Sequence, residues 1–241
     1  MGLIEQLELY CQPIYQVTTL GEAQPCDYEV LLRKKGGRPL LPQELYATTA
    51  TASARQALRQ WMLAQLAHFA DHQPRLTIDV NIDPWQFHYP DVWDYLAQLR
   101  QVGPQINIEI TERNESSFDA AANFGRLLAR AQNLGFAISL DDVGSGYNSL
   151  QAVIDNSTYL SRIKFSLLLF QRRDQQSKLL FARAWQELAA SRNLDLVVEG
   201  IEDQLLAETL LKQGCHYQQG FYWQRPFPLK KLCGCQNGDC D

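Results

Sequence analysis

The sequence contains few of the features that mark membrane proteins, zinc proteins or nucleic-acid-binding proteins. Four of its 241 residues are histidine, and its net charge is -5 rather than strongly positive. No apolar run reaches the roughly 18 residues of a membrane-spanning helix, and the first residues lack the basic and apolar segments of a secretory signal. We therefore expect a cytoplasmic protein that binds neither a membrane nor a large nucleic acid.

Apolar periodicity predicts strands and helices in alternation. The predicted strands are residues 7–15, 28–33, 76–82, 106–111, 136–140, 160–165, 194–198 and 217–222. The predicted helices are residues 55–69, 90–100, 118–134, 151–154, 179–191 and 205–212. Such alternation indicates a mainly parallel sheet. Eight strands in a chain of this length favour an α/β fold of the TIM-like (β/α)8 barrel type over an open sheet.

We assign the barrel to a single domain at residues 1–228, because no linker or low-complexity segment divides it. Residues 229–241 are a polar tail that contains Cys233, Cys235 and Cys240. The spacing of these cysteines matches no usual zinc-binding pair, and a fourth ligand is not evident. In a chain without a secretory signal, we expect the thiols to be reduced.

A polar side chain stands at or near the end of almost every predicted strand. These residues are Glu29, Asn81, Glu109, Asp141, Asp142, Lys164, Glu199 and Gln219. In a barrel the strand ends converge on one mouth, where the active sites of this fold lie. Acids gathered there need cations to offset their charge, and oxygen ligands without histidine or cysteine favour Mg²⁺ or Mn²⁺. Two such ions suit hydrolysis of a phosphoester.

The stretch SLDDVGSGYNSL at residues 139–150 is the most informative part of this pattern. An apolar strand ends in the adjacent Asp141 and Asp142, and Gly144 and Gly146 follow directly. Two adjacent acids can bind one metal ion and reach a second. A dinucleotide-binding turn is not indicated, because Ser149 stands where its third glycine would be.

Several motifs in order along the chain give it a family resemblance. They are EVL at 29–31, VNIDP at 80–84, EITE at 109–112, DDVGSGYNSL at 141–150, EGIE at 199–202, QGF at 219–221 and RP at 225–226. In these segments the chain resembles the EAL-domain phosphodiesterases of bacteria, which cleave cyclic di-GMP. The resemblance runs from about residue 10 to residue 228.

The resemblance implies a barrel with one antiparallel strand, a homodimer, and hydrolysis of cyclic di-GMP to linear pGpG with two Mg²⁺ or Mn²⁺ ions and a water between them. One ion would be held by Glu29, Asn81, Glu109 and Asp141, and the second by Asp141, Asp142 and Glu199. We expect Ca²⁺ to inhibit, because it fits poorly in a site built for octahedral ions.

The resemblance also assigns roles to the remaining site residues. Lys164 would orient the water or offset charge on the phosphoryl group, and Arg33 would contact the dinucleotide. Gln219 would line the site, while Glu112 and Glu202 would support the loops that carry the metal ligands.

Two departures from the family pattern keep other functions open. Ser166 stands where the family has an acid, and the segment 46–55 lacks an acidic residue that the family often carries. One alternative is therefore a catalytically silent receptor or protein-interaction module on the same fold. A separate alternative keeps the barrel and the metals but changes the chemistry to proton abstraction next to a carboxylate, with Lys164 as the base, as in enolase-type barrels.

Overall fold

The structure is a computed structural model that describes residues 4–103, 105–113, 120–170 and 174–233. The strands in these ranges are β1 (Leu7–Gln16), β2 (Gln24–Lys34), β3 (Arg38–Pro39), β4 (Thr77–Ile82), β5 (Ile106–Ile110), β6 (Ile138–Leu140), β7 (Arg162–Ser166), β8 (Asp195–Glu199), β9 (Tyr217–Gln218) and β10 (Phe227–Pro228). The α-helices are α1 (Pro42–Thr48), α2 (Ala52–His72), α3 (Asp91–Val102), α4 (Ala120–Asn133), α5 (Leu150–Asn156), α6 (Gln175–Ser191) and α7 (Gln204–Lys212).

Eight of these strands close into a barrel. Strands β2 and β4 to β9 pair in parallel, each with the next. Strand β1 closes the ring by pairing antiparallel with both β2 and β9. The short strands β3 and β10 extend the pairing at β2 and β1. The predicted barrel with one antiparallel strand is therefore confirmed.

Alternation along the strands separates an apolar outer face from a polar interior. On β5, Ile106, Ile108 and Ile110 are fully buried and belong to one hydrophobic cluster with Leu96 and Leu99 of α3. Successive side chains of a strand point to opposite faces. The polar residues between the isoleucines therefore face the barrel interior, and burial of the apolar face against the helices fixes which residues reach the mouth.

The barrel interior carries two polar layers, two residues apart on each strand. The layer at the mouth contains Glu29, Asn81, Glu109 and Lys164, and the layer beneath it contains Asp27, Asp79, Asn107 and Arg162. In the lower layer, Arg162 lies 2.6 Å from Asp27 and 3.3 Å from Asp79, and Asn107 donates to Asp79 at 3.1 Å. This ion-paired layer occupies the interior below the mouth.

A short helix, α1, begins at Pro42, where the sequence pattern predicts no helix. Pro42 occupies the first helical position, where a missing N–H costs nothing. Glu44 accepts from the backbone N–H of Leu41 at 2.9 Å and also pairs with Lys34. These contacts stabilise a single helical stretch that the sequence pattern does not reveal.

The last barrel strand is shorter than the predicted 217–222, because the chain turns after Gln218. Gly220 packs so closely on the next loop that a Cβ there would lie 2.2 Å from the carbonyl oxygen of Ile201. Tyr222 then donates to that same carbonyl at 3.0 Å. Gln219 consequently sits just beyond the strand, at the mouth.

Two helices begin earlier than predicted, at side-chain caps. Thr51 accepts from Ala54 and starts α2, and Asp174 accepts from Ser177 and starts α6. The first residues of the predicted helix 118–134 lie outside the described residues. None of the helices in the described ranges has the length and apolar character needed to span a membrane.

Candidate metal centre

The ammonium group of Lys164 lies at the centre of the mouth, inside a ring of carboxylates. Its Nζ is 2.7 Å from Glu109, 2.7 Å from Glu199, 3.1 Å from Glu29 and 3.6 Å from Asp141. The lysine side chain is fully buried. Although burial alone would lower the pKa of Lys164, the surrounding carboxylates raise it well above its usual value. The group therefore stays protonated at neutral pH.

Within the ring, Glu29 is the carboxylate that accepts the most hydrogen bonds. It accepts from Gln219 at 2.8 Å, from Lys164 at 3.1 Å and from Asn81 at 3.2 Å. Burial opposes ionisation, but the Lys164 charge and these hydrogen bonds hold the pKa of Glu29 below its usual value. Glu29 is therefore ionised and oriented before any ligand binds.

The other carboxylates of the ring carry more negative charge than one lysine can offset. Burial raises the pKa of Glu109 well above its usual value despite the nearby Lys164. Burial likewise raises the pKa of Asp141 and brings that of Glu199 to about 8. Ionisation of these acids is therefore opposed in the metal-free protein, and additional positive charge at the mouth would favour it.

Asp142, next to the ring, has an unusual backbone. Its φ of 45° lies in the left-handed region, which a residue with a side chain adopts at a cost. Burial, followed by the charge of the neighbouring Asp141, raises the pKa of Asp142 to about 6, and a hydrogen bond from Ser166 acts in the opposite direction. The strained conformation holds the second acid of the pair beside the first.

Glu112 approaches the acid pair because a glycine lets two loops meet. A Cβ on Gly146 would lie 2.0 Å from the carbonyl oxygen of Glu112, and the φ of Gly146 is +48°. Tyr147 donates to that same carbonyl at 3.1 Å. As a result, Glu112, Asp141 and Asp142 can each place a carboxylate oxygen within 4.8 Å of the others.

Asn148 is a positioning residue that the sequence did not single out. It is fully buried and its side-chain amide donates to the backbone carbonyls of Ile110, at 2.9 Å, and Asp141. It thereby ties the loop after β6 to the end of β5. Its place in the motif at residues 141–150 is the only signal of this role in the sequence.

A cavity of about 180 Å³ opens directly above the ring. The polar residues on its wall are Gln12, Glu29, Arg33, Glu199, Glu202 and Gln219, and the apolar ones include Leu31, Leu168 and Phe221. Arg33 stands four residues after Glu29 on β2, and Glu202 is exposed at the rim. Gln12, on the antiparallel strand β1, was not anticipated; it donates to the carbonyl of Gln224 at 3.1 Å.

The structure thus brings Glu29, Glu199, Gln219 and Arg33 together at one cavity. Lys164 joins Glu109 and Asp141 to this group, Asn81 donates to Glu29, and Asp142 and Glu112 lie beside the ring. One oxygen of Glu109 and one of Asp141 are buried and have no hydrogen-bond partner within the described ranges. Buried carboxylate oxygens without hydrogen-bond partners, an all-oxygen donor set and excess negative charge are the features that a hard divalent cation satisfies. The residues therefore fit Mg²⁺ or Mn²⁺.

The raised pKa values predict how stability depends on pH. A carboxyl whose pKa is higher in the folded than in the unfolded state stabilises the fold at low pH and loses that contribution as pH rises through the folded value. For Glu199 this contribution is lost over the pH range from its ordinary pKa of 4.5 to its pKa of about 8 in the folded protein. For Asp142 the range runs from 3.8 to about 6. The melting temperature of the metal-free protein should therefore decrease as the pH rises from 5 to 8.

Calorimetry in a chelating buffer, with and without Mn²⁺, measures this effect. Mn²⁺ should flatten the pH profile, because it replaces the protons, and at a hundredfold excess over Kd it should stabilise the fold by about 2.7 kcal/mol. A melting temperature of the chelated protein that is constant or rises from pH 5 to pH 8 would contradict the prediction.

Comparison with known proteins places these features in a family. The model of the EAL domain family matches residues 3–226. The cyclic di-GMP phosphodiesterase NbdA of Pseudomonas aeruginosa is 28% identical over 246 residues, which cover 95% of this chain and 30% of that protein. The chain spans between a fifth and a third of the length of four curated relatives that it matches.

Solved structures share the fold over almost the whole chain. A complex of the PaMucR phosphodiesterase with c-di-GMP has a TM-score of 0.74 at 24% identity, covering 94% of this chain and 99% of that one. A manganese and cy-diGMP complex of Klebsiella pneumoniae BlrP1 has a TM-score of 0.74 at 23% identity, covering 93% and 57%. Since the family model matches nearly the full length, this chain belongs to the EAL domain family.

Proposed function

We propose that this protein is a metal-dependent phosphodiesterase that hydrolyses cyclic di-GMP to linear pGpG. The observation that carries the proposal is the buried ammonium of Lys164 within 3.6 Å of four carboxylates, which leaves the mouth short of positive charge. Divalent cations would supply that charge, and their positive charge would attract the phosphates of a dinucleotide to the cavity.

We assign one ion to Glu29, Asn81, Glu109 and Asp141, and a second to Asp141, Asp142 and Glu199. Glu112 can also contribute to the second site, because it can place a carboxylate oxygen within 4.8 Å of those of Asp141 and Asp142. In the metal-free structure Glu199 is instead ion-paired with Lys164. Bound in this way, the two ions would supply an activated water and stabilise the departing oxygen of the phosphoester.

Lys164 acts in this proposal as a fixed positive charge. Its pKa is raised well above the usual value, so it keeps its proton and stabilises negative charge that develops on the phosphoryl oxygens. The alternative in which Lys164 is the base of an enolase-type reaction would require this pKa to fall when the metal ions bind.

The remaining site residues position the substrate and the metal ligands. Arg33 lines the cavity above Glu29, where its guanidinium can pair with a phosphate of the dinucleotide. Gln219 donates to Glu29 at 2.8 Å and keeps that carboxylate oriented. Glu202, at the rim, and Glu112, which meets the loop at residues 142–148, support the loops that carry the ligands.

A nucleotide assay tests the proposal directly. Purified protein with cyclic di-GMP and Mn²⁺ should yield pGpG by chromatography, and Ca²⁺ alone should give no turnover. Glu29→Ala should lower turnover by about a thousandfold, because several kcal/mol of transition-state stabilisation are lost. The matched control is Glu187→Ala, since Glu187 is an exposed acid on α6. Absence of pGpG from the wild type, while an active EAL enzyme produces it in parallel, would refute the proposal.

The rival function is a silent receptor, and Ser166 is the observation that favours it. The family acid at this position is replaced by a hydroxyl that hydrogen-bonds Asp142, which removes one negative charge beside the second ion site. Calorimetric binding of cyclic di-GMP without turnover, unaffected by Glu29→Ala, would support the receptor over the enzyme.

We also propose that the protein forms a homodimer. Leu168, Leu180 and Phe181 are 70%, 61% and 53% exposed, and the Phe181 ring lies 5.4 Å from that of Phe170. Exposed apolar side chains on and before one helix favour coverage by a second chain. Analytical ultracentrifugation should give twice the monomer mass, and Phe181→Glu should shift it toward monomer. A wild type that sediments as a monomer at high concentration would contradict this.

A further inference from the structure

A groove between α2 and α3, in the helical layer around the barrel, encloses a cavity of about 340 Å³. Cavities of this size bind small organic molecules. The charged and hydroxyl-bearing side chains on its wall are Arg59 of α2 and Asp91, Asp94 and Tyr95 of α3. We call it the α2–α3 groove. None of these side chains belongs to the ring of carboxylates or to the cavity above it.

Two buried hydrogen-bond donors at the α2–α3 groove lack an acceptor. Arg59 is 8% exposed and Tyr95 is 3% exposed. Nη1 of Arg59 lies 3.0 Å from Asp91, but its Nη2 and the hydroxyl of Tyr95 have no hydrogen-bond partner within the described residues. Buried polar groups in native proteins are nearly always satisfied. These two donors therefore call for acceptor atoms from a ligand.

Two carboxylates at the same groove can accept further hydrogen bonds. Oδ1 of Asp91 is buried and accepts no hydrogen bond from the part of the chain that the structure describes, although Arg59 is its ion-pair partner. Asp94, one turn later on α3, is exposed, and no cation in the described ranges pairs with it. These oxygens call for a donor group with positive charge.

The open donors and acceptors together match a ligand that carries both charges. A carboxylate can accept from Arg59 and Tyr95 in charge-assisted hydrogen bonds, and an ammonium group, with three N–H donors, can pair with Asp91 and Asp94. A ligand with a single charge would approach a like charge in the groove. Because Arg59 and Asp91 are only 3.0 Å apart, the two charges of the ligand must also be close together, as they are on the α-carbon of an amino acid.

We propose that the α2–α3 groove binds a free α-amino acid. Its carboxylate accepts from Arg59 and Tyr95, and its ammonium group pairs with Asp91 and Asp94. The amides of Gln56, Gln60 and Gln98 complete the polar wall and can donate to or accept from the side chain of the ligand. The inference does not depend on the proposed phosphodiesterase function, because it concerns a different cavity and a different ligand.

Equilibrium dialysis of the full-length protein against a mixture of the twenty common amino acids tests the proposal. The wild type should retain at least one of them above its concentration on the protein-free side. The amine and the carboxylic acid that correspond to the retained amino acid, each with one of its two charges, should bind at least about tenfold more weakly by calorimetry.

Two variants and a control locate the binding at the groove. Tyr95→Phe removes a donor and Asp94→Asn removes a charge, and each should weaken binding about tenfold. Asp94 lines the groove but none of the cavities nearer the mouth, so its effect identifies the groove. Asp71→Asn, an exposed position near the other end of α2, should bind like the wild type.

Three results would overturn the inference. The first is that the wild type retains none of the twenty amino acids. The second is that the retained amino acid binds Tyr95→Phe and Asp94→Asn as tightly as the wild type. The third is that its singly charged amine or acid binds the wild type equally well. Since pGpG is not measured, each result is separate from the outcome of the nucleotide assay.

Discussion

Replacing Lys164 with methionine is expected to lower the free energy of unfolding of the metal-free protein at pH 8 by about 3–5 kcal/mol. The reason is that Glu109 and Glu199, each 2.7 Å from the ammonium, would remain buried without a nearby cation. Denaturant titration in a chelating buffer measures the loss. Mn²⁺ should stabilise the variant more than the wild type, because the ions would then be the main counter-charge.

A surface lysine provides the control for this substitution. Lys212→Met, at the last residue of α7, should change the free energy of unfolding by less than about 0.5 kcal/mol. If Lys164→Met unfolds at the same denaturant concentration as the wild type, the lysine does not hold the carboxylates together.

Glu109→Gln is expected to change stability and activity in opposite directions. Burial raises the pKa of Glu109 well above its usual value, so a neutral amide of the same shape should raise the melting temperature of the metal-free protein at pH 8. The same change removes a ligand of the first ion site, and turnover of cyclic di-GMP should fall by about a thousandfold. This behaviour is expected of an active-site residue that lowers the stability of the fold but is needed for turnover.

Calorimetry and the nucleotide assay on one preparation check both halves of this prediction. The Mn²⁺-induced rise in melting temperature should also shrink in Glu109→Gln. A variant that is less stable than the wild type in chelator, or that retains full turnover, would show that Glu109 serves the barrel core and not an ion.

The sequence was sufficient to predict the barrel and its mouth, because both depend on local patterns. Strand β5, for example, alternates isoleucine with Asn107 and Glu109, so one face must be apolar and the other polar. The acid pair at the end of β6 is equally visible, since Asp141 and Asp142 directly follow an apolar strand. Strand ends of a parallel barrel meet at one side, and the ring at the mouth follows from that rule.

The lower polar layer was missed although its signal was present. Asp27, Asp79, Asn107 and Arg162 each stand two residues before a residue of the mouth layer, so the period of a strand places them on the same face. Their partners could not be predicted, because the pairing of Arg162 with Asp27 and Asp79 depends on the register across five strands. The same limit hid the position of Lys164 at the centre of the ring.

Contacts that depend on close approach of distant segments were also beyond the sequence. Gly146 and Gly220 look like ordinary turn glycines, yet each meets a backbone carbonyl from another loop. Arg59 reads as a polar residue of a helix, and only the packing of α2 against α3 brings it within 3.0 Å of Asp91 and onto a cavity wall. Such roles arise from tertiary structure and not from periodicity.

Anomalous diffraction at the manganese edge, from crystals grown with Mn²⁺, is the most direct measurement of cation binding at the mouth. The proposed ligands predict a strong peak within coordination distance of Glu29, Asn81, Glu109 and Asp141, and a second peak beside Asp142. Density that shows no manganese there, with the Lys164 ammonium still bonded to Glu109 and Glu199, would contradict a divalent metal centre in this protein.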